Sequence, residues 1–117
     1  MYLLEHREGK IPFNPNSANI EGNTPLHVAS KNGHYSIVSY LLSLPEGDID
    51  KNPVNHEGQT PLMLAVNGNH KDIVKRMLMK GVSRNLTDRE DQKAIDIARA
   101  VGNPELIRIL NDNYSTW

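Results

Sequence analysis

The sequence predicts an all-α fold: a solenoid of stacked helix-turn-helix units. Three observations predict it. The stretch Gly22-Asn23-Thr24-Pro25-Leu26-His27-Val28-Ala29 recurs as Gly58-Gln59-Thr60-Pro61-Leu62-Met63-Leu64-Ala65, and again, degraded, as Asp91-Gln92-Lys93-Ala94-Ile95-Asp96-Ile97-Ala98. The threonine position steps from 24 to 60 to 93, intervals of 36 and 33 residues. Apolar and helix-stop residues keep register with it. Alanine follows five residues later (Ala29, Ala65, Ala98), and a helix-stop residue nine later (Gly33, Asn69, Gly102). Aliphatic side chains follow at thirteen (Ile37, Ile73, Leu106), fourteen (Val38, Val74, Ile107) and seventeen (Leu41, Met77, Leu110).

A period near 33 headed by Thr-Pro-Leu-His resembles the ankyrin-repeat family, over about Asn19 to Leu110. The resemblance implies helix pairs joined by hairpin-like turns. It also implies a role in binding other proteins, with the partner left open.

The elements follow in order. Residues 1–18 read as a partial N-terminal repeat. Tyr2-Leu3-Leu4 matches the Tyr40-Leu41-Leu42 end of the next unit, so Met1 to Lys10 is the tail of a helix. The inner helix that should precede it is missing. Met1 is then either a boundary within a larger protein or a start with a short capping helix. Gly9 to Ala18 is a loop, with Pro12, Pro15, Asn14 and Asn16 as turn formers.

Residues 19–54 form the first full repeat. Gly22 supplies a tight turn, Thr24 is the N-cap and Pro25 takes the first helical position, where its missing N–H costs nothing. In the family, the counterpart of His27 bonds back to the turn, so His27 is structural. This inner helix ends near Asn32, with Gly33 as the stop. An outer helix runs from about Tyr35 to Ser43 and buries Ile37, Val38, Leu41 and Leu42. Ser43 to Asn55 is an expanded loop without regular structure, lengthened at little thermodynamic cost. It carries the three residues beyond the normal period.

Residues 55–87 form the second repeat. Thr60 caps, Pro61 starts, Leu62, Leu64 and Ala65 pack, and Met63 in place of histidine removes the local hydrogen bond. Asn69 stands at the helix stop. The outer helix, about Lys71 to Lys80, turns Ile73, Val74, Met77 and Leu78 inward. Lys71, Asp72, Lys75 and Arg76 face water, and Gly81 ends it. Residues 88–117 form a degenerate C-terminal capping repeat and tail. Asp91, Lys93 and Ala94 replace Gly, Thr and Pro, which moves the N-cap to Asp91. Pro104 starts the last helix, and Asn111 to Trp117 is a frayed end.

Composition excludes several functions. Thirteen basic residues against fourteen acidic ones leave a net charge of minus one, without a basic stripe for nucleic acid. No apolar run approaches 18 residues, and Met1 opens no signal peptide. Cysteine is absent, which removes disulfides, thiolate nucleophiles and cysteine zinc sites. The glycosylation sequons at Asn85 and Asn113 read as chance matches. Cytoplasmic residence is the expectation, with the nucleus or the cytosolic face of a membrane protein as variants. One Phe, one Trp and four Tyr are few for a globular core, but suffice where each repeat buries a thin aliphatic layer.

No catalytic, metal or cofactor motif is present. There is no phosphate-binding glycine loop, no G-x-S-x-G and no H-E-x-x-H. The five histidines are His6, His27, His34, His56 and His70. His34 and His70 recur because the repeat recurs, without the convergent third and fourth ligands a metal needs. Asp88-Arg89-Glu90-Asp91 is a solvated turn without EF-hand spacing. The resemblance implies a non-catalytic partner-binding strip formed by turn tips and inner helices. Carried over by position, it comprises Ile20, Glu21, Asn23, Lys31 and Asn32, then His56, Glu57, Gln59 and Asn67, then Arg89, Glu90, Gln92 and Ala100. The expected partner is another protein. The alternatives are a regulatory or substrate-recruiting domain of a larger enzyme or channel, such as a palmitoyltransferase or kinase, and a stand-alone inhibitor.

Overall fold

The computed structural model describes residues 14–45 and 47–111. The expectations for Met1 to Lys10, for the start of the first loop and for the tail after Asn111 lie outside the described residues. Among these residues six helices form three consecutive pairs: α1 Pro25–Asn32 with α2 Tyr35–Leu42, α3 Pro61–Asn67 with α4 Lys71–Met79, and α5 Ala94–Val101 with α6 Pro104–Asn111. Inner helices α1, α3 and α5 stack in one row, and outer helices α2, α4 and α6 in a second. The predicted all-α solenoid is the observed architecture.

Local chemistry explains the helix starts. Thr24 Oγ1 accepts the His27 N–H at 3.4 Å, and Thr60 Oγ1 accepts that of Met63 at 3.3 Å. Each cap satisfies a donor that the first turn would leave unpaired. The third start corrects the expectation for Asp91. Lys93 is the N-cap residue, and Asp96 serves it from inside the helix by accepting the Lys93 N–H at 3.0 Å. Asp91 instead takes the left-handed conformation of the glycines it replaces, at φ 65 beside 83 for Gly22 and 76 for Gly58. At the last start, Asn103 Oδ1 accepts the Glu105 and Leu106 N–H groups at 3.0 and 3.3 Å.

The core is one aliphatic layer per interface, built on Leu26, Leu41, Leu62, Ile73, Met77, Leu78, Leu106 and Ile109. Three positions depart from the sequence reading. Ile37 is 48% exposed, not buried, because no described residue packs on that side of the first repeat. Arg76 is half-buried rather than facing water, and its Nε is enclosed. Ile109, sixteen residues past Lys93, is buried at the register of Tyr40 and Arg76.

The expanded loop is more ordered than expected. Ile49 and Pro53 are buried. Asn16 Oδ1 accepts the Asp50 N–H at 2.7 Å, and Asn16 Nδ2 donates to the Asp48 carbonyl at 3.2 Å. Asn52 Oδ1 accepts the Ser83 N–H at 2.9 Å, and Lys51 Nζ donates to the Lys80 carbonyl at 3.2 Å. Polar links also join successive outer helices. Lys71 Nζ bonds Glu105 Oε1 at 2.7 Å, and that hydrogen bond and the ammonium charge hold the Glu105 carboxyl below its ordinary value.

His27 ties two repeats together. Its Nδ1 accepts the Thr24 N–H at 3.0 Å, so the proton sits on Nε2, which donates to the Gln59 carbonyl at 2.8 Å. The ring is fully buried. Met63 keeps only part of this role: its thioether Sδ accepts the Thr60 N–H at 3.5 Å, so the local bond is weakened rather than absent. Burial lowers the His27 pKa below 6.5, outweighing the Gln59 carbonyl and the Asp50 carboxylate, which both favour the cation. The unfolded chain therefore binds a proton that the folded chain refuses. Stability from this residue is intact above pH 6.5 and declines as pH falls through that value towards the lowered one. Urea titrations between pH 7.5 and 5 check this. His27→Met should show a shallower loss of stability on acidification than the parent chain, and parallel curves would remove the assignment.

Candidate protein-interaction surface

The turn tips repeat one hydrogen-bond design. Asn19, Asn55 and Asp88 each stand five residues before the threonine position. The side-chain oxygen of each accepts backbone N–H groups two and four residues on: Glu21 and Asn23 at 2.9 and 3.0 Å, Glu57 and Gln59 at 2.9 Å each, Glu90 and Gln92 at 2.8 and 2.9 Å. Asn and Asp side chains make such local turns readily. Successive tips are then joined. The His56 N–H donates to the Glu21 carbonyl, and the Arg89 N–H to the Glu57 carbonyl, both at 3.1 Å. Asn55 Nδ2 donates to Asn23 Oδ1 at 2.9 Å and to Gln59 Oε1 at 3.0 Å.

Two grooves lie between these tips and the inner helices. The first, ≈ 400 Å³, is lined by Ile20, Glu21, Asn23, Lys31, Asn55, His56, Glu57, Gln59 and Leu64. The second, ≈ 170 Å³, is lined by Gln59, Met63, Asn67, Asp88, Glu90, Gln92, Ile97 and Ala100. Gln59 belongs to both. Ten of the twelve candidates other than Ala100 line these grooves; Asn32 and Arg89 are exposed outside them.

Asn23 and Gln59 also hold the tip ladder through their bonds to Asn55. Asn55 and Asp88 were missed as wall residues. Their fixed spacing before the threonine position was the available signal.

The walls are polar and the floor is apolar. Glu21, Glu57 and Glu90 recur three residues before the threonine position, while Leu64 and Ile97 close the bottoms. Asn23 Nδ2 donates to Glu21 Oε1 at 3.2 Å. Two histidines are committed elsewhere: His27 to the turn, and His70, whose Nε2 bonds the Lys31 carbonyl at 3.0 Å and ties the start of α4 to the end of α1. Among the described residues no group of His, Cys, Asp or Glu could hold a metal ion, and no helix is long and apolar enough to cross a membrane.

Stacked helix pairs, linked tips and two grooves that share Gln59 define the class of helical repeat proteins. Family models for ankyrin repeats match residues 43–116 and residues 7–54, and the chain belongs to the ankyrin-repeat family. Its domains are generally protein–protein interaction modules and typically non-catalytic. No curated protein matches the chain.

Proposed function

We propose that this chain binds another protein along the concave strip, seating the partner across the two grooves that meet at Gln59. The observation that carries the reading is the side chains Lys31, Glu57 and Glu90 over apolar floors, the first held by helix α1 and the other two by a tip ladder that fixes the backbone beneath them. The backbone that carries them is already ordered, so it loses little freedom on binding, which favours affinity. The strip's mixed charge fits a partner of mixed polarity and sets register more than raw strength. The described residues offer no arrangement of nucleophile, base and oxyanion donor that would favour catalysis.

The test is charge reversal on a partner captured by photo-crosslinking from the strip. Lys31→Glu combined with Glu57→Lys should weaken binding by on the order of tenfold or more. Both residues are exposed, so the melting temperature should hold. Unchanged affinity would remove the strip as the binding surface.

A further inference from the structure

The two grooves differ in the charges they already hold. The first has a cation of its own, Lys31, beside Glu21 and Glu57. The second is walled by Asp88 and Glu90, and none of its lining residues is basic. The neighbouring cations stay out of it: Arg89 is exposed outside the groove, and Arg99 pairs with Asp96 at 3.5 Å.

One exchange at the tips adds to the difference. Asn55 holds its own turn through Oδ1 and bridges two tips through Nδ2, which donates to Asn23 Oδ1 at 2.9 Å and to Gln59 Oε1 at 3.0 Å. Asp88, at the same register one repeat on, keeps only the first half. Its Oδ1 accepts the Glu90 and Gln92 N–H groups. Where Asn55 carries a donor, Asp88 carries a second oxygen, and a carboxylate donates nothing. Gln59 and Gln92 stand to Asp88 as Asn23 and Gln59 stand to Asn55. Among the described residues nothing donates to Asp88 Oδ2, to the Gln92 amide oxygen or to the Glu90 carboxylate. The second junction therefore lacks a donor that the first supplies from within the chain.

We propose that a basic side chain of the partner supplies it: a lysine or arginine enters the second groove, with its charged head at Asp88, Glu90 and Gln92 and its aliphatic stem along Met63, Ile97 and Ala100. This rests on the strip being the binding surface. An ammonium brings three donors and a guanidinium five, enough for acceptors on three separate side chains. Hydrogen bonds from a cation to a carboxylate are about twice as strong as neutral ones. Long basic side chains lay their stems on apolar surface and keep the head in polar surroundings. The floor suits such a stem, since Met63 and Ile97 are apolar and packed into the core. At ≈ 170 Å³ the groove is smaller than the roughly 300 Å³ at which small-molecule sites begin, so its occupant is a single side chain.

The probe is N-acetyl-lysine methylamide, titrated at low salt into the full chain labelled with nitrogen-15 and followed by amide chemical shifts. Its control is the norleucine analogue, which keeps the stem and lacks the charge. The lysine probe should shift the Glu90, Gln92 and Ala100 signals saturably. The norleucine probe should bind there at least about tenfold more weakly, the weight of one hydrogen bond to a charged group. Asp88→Asn keeps the turn oxygen that Asn19 and Asn55 use and adds the missing donor, so it should weaken the lysine probe by about tenfold. Glu90→Gln should weaken it too, without touching the turn. Equal binding of the two probes overturns the proposal. So do shifts around Glu21 and Glu57 as large as those around Glu90, the mark of general attraction to acidic surface, and lysine binding that both variants leave unchanged. Failure here is separable from failure of the strip. A captured partner that loses affinity with Lys31→Glu and Glu57→Lys but keeps it with Asp88→Asn and with Glu90→Gln leaves the strip standing and removes the basic side chain.

Discussion

Leu62→Ala should lower the unfolding free energy by about 2–5 kcal/mol, the range for deleting a buried leucine side chain into a cavity that only partly collapses. Leu62 is 1% exposed and lies in α3, the inner helix that touches α1, α4 and α5 at once. In a linear array each unit draws its stability from its neighbours, so a gap in the middle layer weakens the contacts on both sides. Small domains hold only about 5–15 kcal/mol in total, so the variant should unfold at a markedly lower urea concentration. Leu86→Ala is the control. That leucine is 38% exposed in the connection after α4, and its loss should stay within about 0.5 kcal/mol. Urea titration with an unchanged slope checks both variants. A Leu62 cost below about 1 kcal/mol would mean that the repeats are stable without their shared layer.

The register that made Leu62 legible in the sequence assumes a repeat on either side. Where that holds, it placed Leu62, Ile73, Val74 and Met77 correctly in the core. It misplaced Ile37, where no described repeat precedes, and it passed over Ile109, whose register holds Tyr40 and Arg76 in the earlier units. The loop of three extra residues shows the same logic. From Ile49 to Thr60 and from Val82 to Lys93 the spacing is equal, so the surplus falls before Ile49, while the rest of the loop keeps its anchored place. The strip was legible as positions, because offsets survive when residues change. Its supports were not. Asn55 contributes through an amide that reaches Asn23 in the tip before and Gln59 in its own, and no period in the sequence announces a bond between two repeats.

Gly58→Ala should cost clearly more than Gly81→Ala, although both glycines sit in the left-handed region, at φ 76 and 83. A side chain in that conformation costs roughly 1–2 kcal/mol wherever it occurs. At Gly81 that is the whole cost, because an added Cβ meets nothing within 4 Å. At Gly58 the Cβ would stand 2.9 Å from the Arg89 backbone nitrogen and 3.2 Å from both the Cα and the carbonyl carbon of Asp88. These are backbone atoms and cannot swing aside. The third tip must therefore move, stretching the 3.1 Å bond from the Arg89 N–H to the Glu57 carbonyl. A lost hydrogen bond adds about 1 kcal/mol, which brings the expected total for Gly58→Ala to about 2–3 kcal/mol.

Asp91 supports the division. It carries a side chain at φ 65 in the corresponding slot and is exposed, so only the conformational part of the penalty applies there. The same shift moves Glu90 and Gln92 away from Gln59, so Gly58→Ala should also weaken partner binding at the second groove, whereas Gly81→Ala should not. Equal destabilisation by the two alanines in urea would show that the tips are not packed closely enough to fix the strip.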